Sequence, residues 1–207
     1  MHALVRWTVG GTLALALATP LRAAGGFVLG AGLGTSEVGT ACTDNDDPAL
    51  SRRCDTTSSG HKLFAGYRWL DPESGLAAGL EVFHADFGAM EFEGEIDAVP
   101  VAGRAAASGT GLVGTVEVPI LKRWSLLAKL GACRWQVDAR AGRIGEAPVY
   151  TKRPSGVGLA GGLGAAYQIA DHLALRLEAE GVGGVGDDNI LQDDVVVLAS
   201  IGLAVSF

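Results

Sequence analysis

The most regular feature of the chain is an alternation of apolar with polar or small residues at a period of two. In Leu173-Ala-Leu-Arg-Leu-Glu-Ala-Glu180, the apolar positions are Leu173, Leu175, Leu177 and Ala179, while Arg176, Glu178 and Glu180 fill the even ones. That is the signature of a strand with two unlike faces. The last segment keeps the phase. Val197, Ala199, Ile201, Leu203, Val205 and Phe207 share one face; Ser200, Gly202, Ala204 and Ser206 share the other. Read throughout in this way, the chain predicts eight strands, near 26–38, 61–70, 75–87, 109–120, 124–137, 156–169, 173–183 and 195–207.

The connections alternate in length. Asp71-Pro-Glu-Ser74, Leu121 to Arg123 and Ala170-Asp-His172 are tight turns, whereas 39–60, 88–108, 138–155 and 184–194 are long and rich in Asp, Gly, Thr or Arg. An even number of antiparallel strands joined in this manner predicts an all-β fold, an antiparallel eight-stranded up-and-down transmembrane β-barrel. A soluble, lipocalin-like barrel shares the periodicity but turns its apolar face inward. The second face decides between them. It carries Gly30, Gly32 and Gly34, then Gly158, Ala160, Gly162, Gly164 and Ala166. Such a face is too bare for solvent, but it suits the narrow inside of an eight-stranded tube. Phe27, Tyr67, Trp69, Trp124, Tyr167 and Phe207 are in phase with the large apolar residues. Each falls at a strand end beside a short turn or a terminus, the arrangement of an aromatic girdle at a membrane interface.

Composition narrows the picture further. The chain has 207 residues, enough for one domain; 48% are apolar and 19% charged, which excludes intrinsic disorder. Its 31 glycines fit badly with helices. A net charge of −7 without a basic stripe argues against nucleic acid as a partner. Residues 1–23 read as a cleaved signal peptide: a basic start to Arg6, an apolar run from Trp7 to Ala18, then Thr19-Pro20 before Ala23 and Ala24. The barrel domain is then 24–207. Export implies an oxidising compartment, where Cys42 and Cys54 are expected to close a small disulfide ring contributing about 3 kcal/mol in the chain-entropy model. Cys133 is left unpaired in a strand.

The inward phase holds Arg68, Glu81, Glu117, Lys129, Arg176, Glu178 and Glu180. Charges withdrawn from water need partners, so these are expected to form a salt-bridge network plugging the lumen. Its rearrangement would instead make a narrow gated pore. A hydrolase reading of Glu81 and Glu117 needs a cleft that a filled tube does not offer. A lipid A-modifying enzyme would draw on His84 with Ser108, or on His61 near Ser58 and Ser59. Gly156-Val-Gly-Leu-Ala-Gly161 matches a dinucleotide fingerprint, but inside a strand rather than between strand and helix. No catalytic residue, cofactor or metal ligand is assigned, since Asp44-Asn-Asp-Asp47, Asp187-Asp-Asn189 and Asp193-Asp194 lack the EF-hand order. Arg52, Arg53, Arg140, Arg143, Lys152 and Arg153, at the outer ends, suit contacts with lipopolysaccharide phosphates.

Lys62-Leu-Phe-Ala-Gly-Tyr-Arg-Trp69, a polar turn, Gly75-Leu-Ala-Ala-Gly-Leu-Glu81 and the stretch Gly156 to Glu180 resemble the eight-stranded OmpA/OmpX-type outer-membrane barrels of Gram-negative bacteria. The likeness covers essentially all of 24–207 and speaks to architecture more than to activity. It implies an integral outer-membrane protein, delivered by periplasmic chaperones. The C-terminal strand ending in Phe207 is similar to the signal read by the barrel-assembly machinery. The expected role is structural or interactive, through extracellular loops facing lipopolysaccharide or an extracellular protein, in a monomer. As the sequence stops at Phe207, no peptidoglycan-binding domain is expected.

Overall fold

The computed structural model describes residues 24–38, 53–55, 57–96, 99–187 and 190–207. The signal-peptide stretch, Cys42, Asp44–Asp47 and Arg52 lie outside them, as do Asp188 and Asn189. Ten strands follow in chain order: β1 (Ala24–Val38), β2 (Arg53–Asp55), β3 (Thr57–Leu70), β4 (Ala77–Ile96), β5 (Val99–Leu121), β6 (Trp124–Arg143), β7 (Tyr150–Lys152), β8 (Ser155–Ala170), β9 (Leu173–Asp187) and β10 (Ile190–Ser206). Eight of them close a ring of antiparallel ladders in the order β4-β3-β1-β10-β9-β8-β6-β5, and β5 pairs back onto β4. The short β2 and β7 flank β4 and β6.

Local chemistry sets the tight turns. Asp71 accepts bonds from the Glu73 amide at 3.2 Å and from the Ser74 hydroxyl. Gly75, at φ +72°, lets the chain turn back into β4. Pairs of turn residues, Lys122-Arg123 and Asp171-His172, make the other two reversals.

The opposite end differs from the sequence reading. Much of 88–108, expected as a loop, is strand: β4 and β5 stay paired from Ala89/Ala106 to Ile96/Val99. Parts of 138–155 and 184–194 are strand as well. Beyond Met90 and Ala105, which still pack against the core, ladder hydrogen bonds persist where neither face is buried in a core or in lipid, so hydrophobic alternation fades although the pairing does not. A bulge at Asp86/Ala89 bends β4 where this projecting sheet begins. Ser36 binds the Phe87 carbonyl there, the Ser58 hydroxyl accepts from the Ala89 amide, and Asp86 caps the amide of Gly88, at φ +74°.

Burial is inverted relative to a soluble domain. Leu29, Leu33, Leu63, Leu130, Leu159, Leu163 and Ile201 are more than half exposed. Lys62, Glu81, Lys129, Arg176 and Glu178 are buried. Charges inside and leucines outside rule out the lipocalin-like cup. On β6 the outward residues run from Trp124 through Leu126, Ala128, Leu130 and Ala132 to Arg134. At a typical strand tilt those ten steps rise roughly 25 Å, the height of the apolar band of an outer-membrane barrel.

Candidate functional site

All seven charges expected inside are there, and an eighth joins them. Lys62, on the inward phase of β3 with Arg68, is only 1% exposed. The shared parity with Arg68 was the available signal for it. With Lys62 the turn-end and middle lumen holds four basic and four acidic side chains among the described residues, and the buried Asp194 lies higher, opposite Val185.

The eight form two groups. Near the turn end, Arg68 donates to Glu117 at 3.1 Å. Midway up, six charges interlock. Lys129 lies 2.6 Å from Glu81, 2.8 Å from Glu178 and 3.0 Å from Glu180. Arg176 reaches Glu81 at 3.0 Å, and Lys62 is held by both Glu178 and Glu180. Lys62 and Lys129 thus separate the two neighbouring glutamates of β9, whose repulsion would otherwise be unscreened. The Phe64 ring sits among the cations, its centroid 4.8 to 5.3 Å from Lys62, Lys129 and Arg176, each within cation–π range.

Sequence reasoning missed a second layer. The sequence pattern puts glycine, alanine and charges on the inner face, but toward the hairpin end that face carries large apolar groups. On β4, Phe83 and Phe87 follow Glu81; on β6, Cys133, Trp135 and Val137 follow Lys129; on β9, Val182 and Val185 follow Glu180. Val196 and Leu198 complete the layer from β10. The glycines opposite exist to admit it. A Cβ on Gly111 would stand 2.5 Å from the Phe83 ring, and one on Gly156 2.5 Å from that of Trp135. Cys133 is a buried, free thiol in this layer. Among the described residues, small cavities of about 20, 10 and 20 Å³ interrupt the filling, each with room for about one water.

The other candidates are dispersed. Glu81 and Glu117 are committed to different cations. His84 faces outward with Nδ1 2.9 Å from the Thr110 hydroxyl, while Ser108 stands opposite Asp86 and Gln136 in the ladder. Gly156 to Gly161 lie within β8. The pairing of Cys42 with Cys54 falls outside the described residues, because Cys42 does.

On the outside, the six aromatic residues all sit at the turn end. Phe27 pairs with Tyr67 across β1 and β3, ring centroids 5.2 Å apart, and Tyr67 meets Trp69 at 5.0 Å. Trp124 pairs with Tyr167 at 5.0 Å, and the Phe207 amide donates to the Phe27 carbonyl at 2.9 Å. At the opposite edge of the apolar band, outward positions turn polar and basic. Arg134 lies at the boundary, and Arg104 and Arg140 stand opposite each other beyond it. Asp138 joins the exposed Arg140 and Arg153 at 3.1 and 3.0 Å, and these bonds, that to Arg140 foremost, hold its carboxyl below the ordinary Asp value. An open groove of about 350 Å³ lies in the projecting sheet, between Phe92, Arg104, Arg140 and Pro148.

Residues 22–207 match the family model of the OmpA-like transmembrane domain. The chain belongs to this family. The OmpA-like barrel is thus an integral protein of the outer membrane, and its turn end, hairpin end and apolar belt follow the family's architecture. Among solved structures it is similar to Ail, the attachment invasion locus protein of Yersinia pestis, at 17% identity and a TM-score of 0.53, covering 88% of this chain and 99% of that one. Ail in complex with the heparin analogue sucrose octasulfate is also similar, with a TM-score of 0.51, 17% identity and the same coverage. The N-terminal barrel of Pseudomonas aeruginosa OprF has a TM-score of 0.50 at 11% identity, covering 88% and 99%. At such identities the likeness concerns the fold. No curated protein sequence matches the OmpA-like chain significantly.

Proposed function

We propose that this barrel is a closed, surface-displaying protein, whose lumen is structural and whose projecting sheet binds anionic groups at the cell surface, lipopolysaccharide phosphates first. The observation that carries this reading is the outward set of Arg104, Arg134, Arg140 and Arg153, which climbs from the edge of the apolar band onto the sheet. Guanidinium groups suit phosphate and sulfate because their forked donors bind two oxygens at once. The complex of Ail with sucrose octasulfate makes that polyanion a reasonable probe. In this reading residues 1–23 direct export and are removed, chaperones and the assembly machinery deliver a monomer using Phe207, and the aromatic residues of the turn end anchor it at the periplasmic interface. Cys42 and Cys54 pair in the outer loop, which also offers a surface to extracellular proteins.

The test is binding of sucrose octasulfate and of lipopolysaccharide to the folded protein in nanodiscs. Arg140→Ala with Arg153→Ala is expected to weaken both by about tenfold or more, the value of one or two charge-assisted hydrogen bonds. Unchanged affinity would refute the assignment. The water-sized cavities beside the charges favour a second reading, a narrow pore opened by rearrangement of the ion pairs. Planar-bilayer conductance separates the two.

A further inference from the structure

We infer that the apolar layer at the hairpin end, built by Phe83, Phe87, Trp135, Val137, Val196 and Leu198, is the barrier that keeps the lumen shut, and that the ion-pair cluster beneath it is not. This rests on the closed-barrel reading above and locates its seal.

The layers differ in what they offer a passing ion or water. The lower and middle lumen holds four cations, four carboxylates and cavities lined by them. The 10 Å³ cavity touches Arg68, Glu81, Glu117 and Arg176, and a 20 Å³ one touches Arg68, Glu117, Gln168 and Arg176. Each admits about one water, and the charged groups around it can replace part of an ion's hydration shell. Another cavity, also about 20 Å³, lies at the border: Lys62, Lys129 and Glu180 line it along with Phe83, Phe87 and Leu198. Above that border the inward residues of β4, β6 and β9 are apolar in sequence, as are Leu198 and Val196 of β10, and the buried Asp194, opposite Val185 in the ladder, marks the outer margin of the layer. Crossing there means shedding water for little more than the Ser36 hydroxyl and the Trp135 indole N–H, which is costly for any charge. Hydrophobic constrictions stop conduction by dewetting for that reason.

The packing is built for closure. Phe83 and Trp135 lie in space left free by Gly111 and Gly156, and Leu198 comes within 2.7 Å of where a Gly60 Cβ would stand. Phe87 is fixed within the layer, because the buried Ser36, opposite Leu198 in the β1–β10 ladder, donates to its carbonyl at the β4 bulge. Opening the ion pairs alone would leave this lid in place.

The experiment measures planar-bilayer conductance, together with labelling of Cys133 by a charged, membrane-impermeant thiol reagent read on its own peptide. Three proteins are compared: the unaltered chain, Phe83→Ala with Phe87→Ala, and Lys129→Met with Glu178→Gln, which removes one charge of each sign. Heat-dependent gel migration confirms that each barrel is closed. Where the phenylalanine double variant fails that check, Leu198→Ala takes its place. The expected result is a silent unaltered protein with protected Cys133, discrete conductance and labelled Cys133 when the apolar layer is trimmed, and silence in the charge variant. Conductance from the charge variant, or continued silence from the trimmed apolar layer, overturns the inference. Steady conductance from the unaltered protein would instead refute the closed-barrel reading itself.

Discussion

The ammonium of Lys129 lies 2.6 Å from the carboxylate of Glu81, 48 residues away in the chain, and their side chains are only 2% and 5% exposed. The pair bridges β4 and β6 across the lumen, with β5 between them in the ring. Truncating one partner leaves a buried charge short of its counter-ion. Lys129→Met is therefore expected to cost about 3–5 kcal/mol. Adding Glu81→Leu restores the charge balance among Lys62, Arg176, Glu178 and Glu180, so the double variant should recover part of that loss. Reversible urea unfolding in lipid vesicles, followed by tryptophan fluorescence, measures both.

The lipid-facing surface has a depth scale. Leu163 lies in the central part of the band, between Val157, which pairs with Arg134, and Tyr167 of the aromatic end. Leu163→Arg should cost about 2–4 kcal/mol, but Leu175→Arg, level with Tyr167, only about 0–1 kcal/mol. Equal costs at both sites would show that the apolar band is misplaced.

Asp138 restrains two of the arginines proposed to bind anions. Its pKa is lowered, chiefly by the hydrogen bond from Arg140, so the tie is fully present above the ordinary Asp range and is lost as pH falls through the depressed value. Asp138→Asn should strengthen sucrose octasulfate binding at neutral pH, and the unaltered protein should show that gain only under strongly acidic conditions. Calorimetry across pH with both proteins checks this. A weaker-binding Asp138→Asn would mean that the carboxylate positions the arginines instead of competing for them.

Two glycines should respond oppositely to one methyl group. A Cβ on Gly34 would lie 1.9 Å from the Ala199 carbonyl oxygen, at the β1–β10 seam that joins the two ends of the chain. Gly34→Ala is expected to cost about 1–3 kcal/mol or to block closure. On Gly114 the nearest atom would be 3.7 Å away, so Gly114→Ala should be tolerated. The heat-dependent shift in gel migration reports closure for each.

Much of this was legible in the chain alone. A period of two makes the outward phase apolar and the inward phase small or charged over ten residues at a time, and lipid enforces that pattern because a spanning strand has nowhere else to place its leucines. The strand count, the tight turns, the aromatic end and seven lumen charges follow from it. The extent of the β4–β5 hairpin did not, since its ladders continue beyond the band where outward residues need no common character. Nor did partner choice within the lumen. Parity tells that Lys62, Lys129, Glu178 and Glu180 face inward, but the stagger of eight tilted strands decides which of them meet. The same stagger gathers Phe83, Phe87, Trp135 and Leu198 from three strands into one layer. Periodicity fixes a residue's face; only closure of the ring fixes its height and its neighbours.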